Sequence, residues 1–429
     1  MGGLARRVSY IKAFKFRSNN EVPTLYVDSG NLFTDDKVSN GSLPSEVIAK
    51  NKWVVKGYGE FRHDAANLTY SDLPYAAELL KKEGYEARIK EHPFIKRLLS
   101  ANIKPVSDTL NAPVPYLIRE VNLRRGTPNK KLRVAIVGFT EERPQMTSQE
   151  PNALAGFTIE DPFEAARKIL PEIKQNADFI VVLAYMDDLK VQRLASENPE
   201  IDSLIYGRHL GSMNEPTHFN RATLTSAYDQ TKYLGELRVY LKGDGSVENL
   251  LNRYVPLDSD IPDDPQALTT VTTAHDEFTN EQSKAAKASI QPTSVLSSNN
   301  SPFAGGDKCA ACHQEEHAVW QKTGHAHAMA TLENKNQQFD NECVKCHVVG
   351  FGQGGFQSLT NTPQFANVQC ESCHGPGKSH VANPQKGYGF MPTPNGCVQC
   401  HTQPNSPDFE FKSYWQKIKH GKREVAQAF

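Results

Sequence analysis

All eight cysteines fall after residue 308, in four frames of one form. They are Cys309-Ala-Ala-Cys312-His313, Cys343-Val-Lys-Cys346-His347, Cys370-Glu-Ser-Cys373-His374 and Cys397-Val-Gln-Cys400-His401. Thiols three positions apart share one side of a helical turn, and the next residue offers an imidazole beside them. A redox dithiol or half a zinc site would account for one such frame. Zinc ribbons need no His after each pair, and a disulfide framework does not use the His either. Cys-x-x-Cys-His is the attachment signature of c-type haem: the thiols add to two vinyl groups and the imidazole takes the iron. Four frames that use every Cys therefore predict four covalently bound haems, with His313, His347, His374 and His401 as proximal ligands.

Nine of the fourteen His lie in residues 301–429. Beyond the four proximal ones they are His317, His325, His327, His380 and His420, and four of these five would fill the remaining axial positions. His317 follows His313 by one helical turn, so it suits a distal ligand or a packing residue beside the first haem. If Glu315–Leu332 is largely helical, His325 and His327 point about 200° apart and serve different haems. The same 129 residues hold 11 Lys+Arg and 10 Asp+Glu. Haem propionates would make the loaded segment acidic, which favours basic redox partner proteins. The aromatics here, among them Trp320, Phe351, Phe390 and Trp415, are expected to pack on porphyrin faces.

Over the whole chain, 48 Lys+Arg against 49 Asp+Glu argue against a nucleic-acid binder. No run of about 18 apolar residues is present, so no transmembrane helix is expected. Covalent haem attachment takes place outside the cytoplasmic membrane, so the protein is expected to be periplasmic or extracellular. Met1–Ser18 is basic without an apolar stretch, which puts the export signal outside this sequence.

Residues 1–257 alternate buried-strand runs (Thr24–Asp28, Trp53–Lys56, Leu132–Phe139, Asp178–Tyr185, Ser203–Tyr206) with helix patterns (Leu73–Glu83, Asp161–Gln175, Asp187–Ser196). Ala222–Tyr228 and Leu237–Leu241 alternate as antiparallel strands do. The expectation is a layered α/β domain over 1–270, a helical segment and Ser/Asn/Pro-rich linker over 271–304, and a mostly helical or irregular, haem-packed domain over 305–429.

Gly2-Gly3-Leu4-Ala5-Arg6-Arg7, Asp28-Ser29-Gly30-Asn31-Leu32-Phe33, Leu204–His209 and Leu257–Pro265 occur in an order that resembles the metallophosphoesterase domain of the 5'-nucleotidase family. That resemblance implies two metals held by Asp, Asn and His. Here Asn31 replaces an Asp, and Gly57-Tyr58-Gly59-Glu60 stands for a Gly-Asn-His-Glu turn. Ala184-Tyr185 stands where a His is expected, and Gly207-Arg208-His209-Leu210 for Gly-His-x-His. A degenerate scaffold without phosphoesterase activity follows. His63, His92, His209, His218 and His275 have no ligand spacing, and His209 alone sits in a former metal loop.

Thr323-Gly324-His325-Ala326-His327-Ala328-Met329, Cys346–Gly352 and Cys370-Glu-Ser-Cys-His-Gly-Pro-Gly377 resemble the tetrahaem cytochrome c-554 family. The resemblance makes His325, His380 and His420 distal ligands and leaves open the sixth position of the haem on His347. His317 and His327 are extra to that pattern. The leading expectation is an electron-transfer cytochrome of anaerobic, nitrogen or metal respiration. The alternatives are a redox enzyme acting on a small nitrogen or sulfur species at one open haem, and self-assembly through stacked haems.

Overall fold

Seven consecutive apolar residues, Phe179–Tyr185, leave a strand no polar face, and six of them are buried at the centre of a six-stranded sheet. The computed structural model describes residues 3–19, 21–33, 43–123, 130–142, 155–208, 216–226, 232–243, 246–288, 301–335, 337–402 and 405–420. The chain divides into two units, Met1–His275 and Asp276–Phe429.

In the first unit the six-stranded sheet runs Thr217–Phe219, Ala222–Ser226, Ser203–Gly207, Phe179–Tyr185, Lys130–Thr140, Tyr116–Leu123. The four central strands are parallel and both edges are antiparallel. A second, all-parallel sheet holds Val27–Asp28, Ala65–Asn67 and Leu98–Leu99. The two sheets meet through a core of Ala65 and Leu99 on one side and Ile136, Phe179, Val181 and Leu183 on the other.

Helices cover the outer faces. Pro162–Asn176 starts where sequence chemistry says it should: the Asp161 carboxylate accepts from Phe163 N at 2.8 Å and Glu164 N at 2.9 Å, with Pro162 in the first turn. Its buried face is Phe163, Ala166, Leu170 and Ile173, spaced by three and four. Ser45–Glu60 and Leu73–Leu80 do the same for the smaller sheet. The unit is therefore a layered α/β fold.

Three expectations need correction. Trp53–Lys56 lies inside the helix Ser45–Glu60, not in a strand: its apolar residues also fit a helical stripe, and buried Val47, Asn51 and Val55 recur every four residues. Of the two segments expected to be antiparallel, Ala222–Ser226 is so only towards Thr217–Phe219, and Tyr233–Leu241 is so throughout. The first runs parallel to Ser203–Gly207, and the second forms a hairpin with Val247–Pro256. Gly57-Tyr58-Gly59-Glu60 is the last turn of a helix and not a loop after a strand.

That last turn instead builds a buried polar knot. The Tyr58 hydroxyl donates to Asp28 Oδ2 at 2.6 Å, and its ring stacks on His63 at 4.0 Å between centres. His63 is 5% exposed, and burial, reinforced by the charge of Arg7, pushes its pKa down from 6.5 to about 4. The folded unit thus holds His63 neutral while the unfolded chain protonates it below pH 6.5. The sign follows: stability is intact above about pH 6.5 and falls as the pH drops towards 4, by about 3 kcal/mol in all. Urea unfolding followed by Trp53 fluorescence should show this slope, and His63→Phe should flatten it. An equal slope in the variant would assign the acid sensitivity to another group.

The second unit has short helices and little regular structure. Among the described residues, no helix of the chain is long and apolar enough to cross a membrane. The stretch Glu315–Leu332 is not one helix. It breaks into Gln314–Trp320, a 3-10 turn Gly324–His327 and Ala328–Glu333. The break falls at Thr323-Gly324, where Thr323 is extended and glycine has the weakest helix preference short of proline. Its apolar core of Phe303, Met329, Leu332, Val344, Val348, Val349, Phe356 and Phe365 surrounds the second Cys frame.

Candidate functional site

Each Cys-x-x-Cys-His frame is one turn of helix or the turn that follows one: Gly306–Ala310, Asn341–His347, Cys370–His374 and Pro394–Cys397. Backbone bonds of 2.9 Å from His313 N to Cys309 O, and from His401 N to Cys397 O, close the turn. Both thiols and the imidazole then share one side. None of the eight thiols is in a disulfide.

The tertiary fold brings three remote His rings opposite three of these imidazoles. His380 faces His313 with ring centres 6.4 Å apart, His325 faces His401 at 6.1 Å, and His420 faces His374 at 5.9 Å. Two imidazoles sharing one iron, each bonded at about 2 Å, have ring centres about 6 Å apart. The residues present therefore fit haem iron between each pair. For His347 no opposing His ring is recorded among the described residues. Its Nδ1 donates to Ala328 O at 2.7 Å, leaving Nε2 for a ligand role.

Other second contacts orient the imidazoles the same way. His374 Nδ1 donates to Phe390 O at 2.8 Å, and His420 Nδ1 to Ile418 O at 3.0 Å. His401 Nδ1 meets Ser406 Oγ at 3.1 Å, and its ring stacks on Phe409. Gly375, at φ 86°, lets the chain turn after the third frame where a Cβ would strike the Phe390 ring. Trp320 Nε1 donates to Val368 O at 2.8 Å while Val368 N donates to His325 O, which fixes His325 against the lead into the third frame.

The extra His residues lie elsewhere. His317 packs against Trp320 at 5.1 Å, and its Nε2 is buried without a partner. That orphaned nitrogen suits a cofactor group beside it and does not face any proximal ring. His327 is exposed.

The thiols also meet across frames. The Cys309 thiol donates to Cys370, which raises Cys309 and brings Cys370 down to about 7. Burial raises Cys373 to about 11, with the charge of Cys397 adding to it. Burial raises Cys400 to about 12, with a hydrogen bond to Cys346 adding to it. The first frame thus lies beside the third, and the fourth beside the second.

In the first unit, the loops that follow the parallel strands converge. Asn31 N donates to Asp72 Oδ2 at 3.1 Å, so Thr69–Asp72, after Ala65–Asn67, is the turn that faces Asn31. The rings of Tyr70 and Tyr185 meet edge-on at 5.7 Å, and Arg208 pairs with buried Glu141. Among the described residues, no group of three or more His, Cys, Asp or Glu is placed to hold a metal ion. His209 and Leu210 lie outside the described residues.

Comparison with known proteins separates the same two parts. Residues 308–375 match the family described as cytochrome c554 and c-prime. Cytochrome c-554 of Nitrosomonas europaea is 33% identical over 130 residues, 26% of this chain and 55% of that protein. The 2',3'-cyclic-nucleotide 2'-phosphodiesterase/3'-nucleotidase of Salmonella typhimurium is 28% identical over 224 residues, 48% of this chain and 32% of that protein. Among solved structures, a sulfate thiohydrolase of Thermus thermophilus aligns over 64% of this chain and 46% of its own, at 16% identity and a TM-score of 0.49. The chain thus spans about half the length of the cytochrome it matches, and less of the phosphoesterases. The C-terminal unit, through residues 308–375, is similar to the cytochrome c554 and c-prime family, and the N-terminal unit is similar to the nucleotide phosphoesterases.

Proposed function

We propose that the protein is an exported electron-transfer cytochrome with four c-type haems, one of them open to a small ligand. The observation that carries this reading is the set of three His pairs at 5.9–6.4 Å beside an unpaired His347. When bound, each haem supplies an iron that takes up and returns one electron. His313 with His380, His374 with His420 and His401 with His325 fill both axial positions and exclude other ligands. Bis-imidazole ligation also holds the potential below that of Met/His ligation.

His347 favours a second reading, in which that haem oxidises or reduces a small nitrogen or sulfur species. Its Nδ1 hydrogen bond to Ala328 O holds the ring in place, and among the described residues no second imidazole stands on its other side. The first unit serves in either reading as a docking scaffold for redox partners.

The test is haem content by intact mass together with electron paramagnetic resonance of the oxidised chain. Four haems are expected, with low-spin and high-spin ferric iron at about three to one. Four low-spin signals would remove the open site and the second reading with it. Fewer than four haems would overturn the first.

A further inference from the structure

Glu371 is the one acidic residue inside the four Cys-x-x-Cys-His frames, and it is 5% exposed. Its Oε1 accepts from Ala304 N at 2.8 Å and Gly377 N at 2.6 Å, and its Oε2 from Gly305 N at 2.7 Å. Carboxylate oxygens accept, and three N–H groups from two segments converge on this one. The donors are not local to one frame. Ala304 and Gly305 lead into the first frame, and Gly377 ends the turn after the third. Gln369 adds a neutral stitch beside them, accepting from Gly306 N at 2.6 Å. The thiols of Cys309 and Cys370 lie against each other, and the charge of Glu371 acts on both.

A fixed negative charge in a poorly polarisable interior favours the oxidised, more positive iron nearby. We propose that Glu371 is a positioning residue that pins the first and third haem segments together and lowers the reduction potentials of the haems held by His313 and His374. The proposal rests on the four-haem reading and adds to it a group that touches no iron.

The experiment is a potentiometric titration of the full, haem-loaded chain, with each haem followed by its resonance signal, for wild type, Glu371→Gln and Glu371→Asp. In the Gln variant the reduction equilibrium constants of the His313 and His374 haems should rise about tenfold or more, which is about 59 mV per electron. The other two should stay within about twofold, and the Asp variant should stay near wild type at all four. Unchanged potentials in the Gln variant, a uniform shift at all four haems, or an equal shift in the Asp variant would overturn the proposal. If the Gln variant matures incompletely, peptide mapping of bound haem decides: loss confined to the first and third frames supports the pin, and loss across all four overturns it. A wild-type chain with no haem on those two frames would overturn the four-haem reading and this proposal together. A fully loaded wild type with unmoved variant potentials would overturn this proposal alone.

Discussion

Replacing His325, His380 or His420 by Ala is expected to double the carbon monoxide bound by the reduced chain, from about one molecule to about two. The reason is the count of axial positions. Three imidazole pairs with centres 5.9–6.4 Å apart leave no room for a third ligand, and among the described residues no His ring stands opposite His347. Each substitution deletes one distal ring, while His374 keeps its Nδ1 bond to Phe390 O and His401 its contact with Ser406 Oγ. The new site should belong to a definite frame: the first for His380, the third for His420 and the fourth for His325. His317→Ala and His327→Ala should leave the uptake at about one, since neither ring stands opposite a proximal imidazole. Titration with carbon monoxide, read from the haem absorption band, gives the count. Uptake that stays at one in all three distal variants would mean that the paired rings do not share iron. Uptake that reaches two in His317→Ala would make that buried ring a ligand after all.

The attachment half of the haem sites is local, and so it is legible in sequence. Cys, Cys and His at fixed offsets need only one turn of backbone, and all four frames adopt it. The distal half is not local. His313 and His380 are 67 residues apart, and no periodicity links them. Resemblance to a family singled out His325, His380 and His420, but which frame each one faces comes from tertiary packing alone. The role of Glu371 is not legible in sequence for a related reason. It occupies a variable position of its frame, and its three donors come from segments on either side of the chain's long return. One sequence signal was present: no other frame holds an acid.

In the first unit, the longer elements followed their local chemistry. Asp161-Pro162 began a helix, and the all-apolar Phe179–Tyr185 became a central strand. The short elements did not. Val27–Asp28 and Leu98–Leu99 are two residues each, too short for any period to show, and a parallel sheet made of such pieces is set by its neighbours. The same shortness hides from the sequence that the turn facing Asn31 is Thr69–Asp72 and not Gly57–Glu60. Three apolar or small residues before a Glu, Gly57-Tyr58-Gly59, fit a helix end as well as a strand end.

Asp72→Ala should weaken the first unit by about 3–5 kcal/mol, a large part of the roughly 5–15 kcal/mol that holds a domain together. Asp72 is fully buried, and five hydrogen bonds end on its two oxygens. Oδ1 accepts from Leu32 N and Phe33 N, both at 2.7 Å. Oδ2 accepts from Asn31 N at 3.1 Å, Thr69 N at 2.9 Å and the Thr69 hydroxyl at 2.8 Å. Removing the carboxylate strands four backbone N–H groups in a dry interior, each costing about 1–3 kcal/mol unless the chain relaxes. Asp72→Asn keeps the volume and one acceptor, so about half of that loss is expected. Urea unfolding read from Trp53, the single tryptophan of this unit, separates its transition from that of the haem-bearing unit. A loss below about 1 kcal/mol in the Ala variant would show that the Asn31–Phe33 loop finds other partners. The expected loss has a functional consequence. A carboxylate has about four lone-pair sites, and all of them on Asp72 are committed to backbone and hydroxyl donors. At the ends of its short parallel strands, this chain uses its buried acid to hold its own loops.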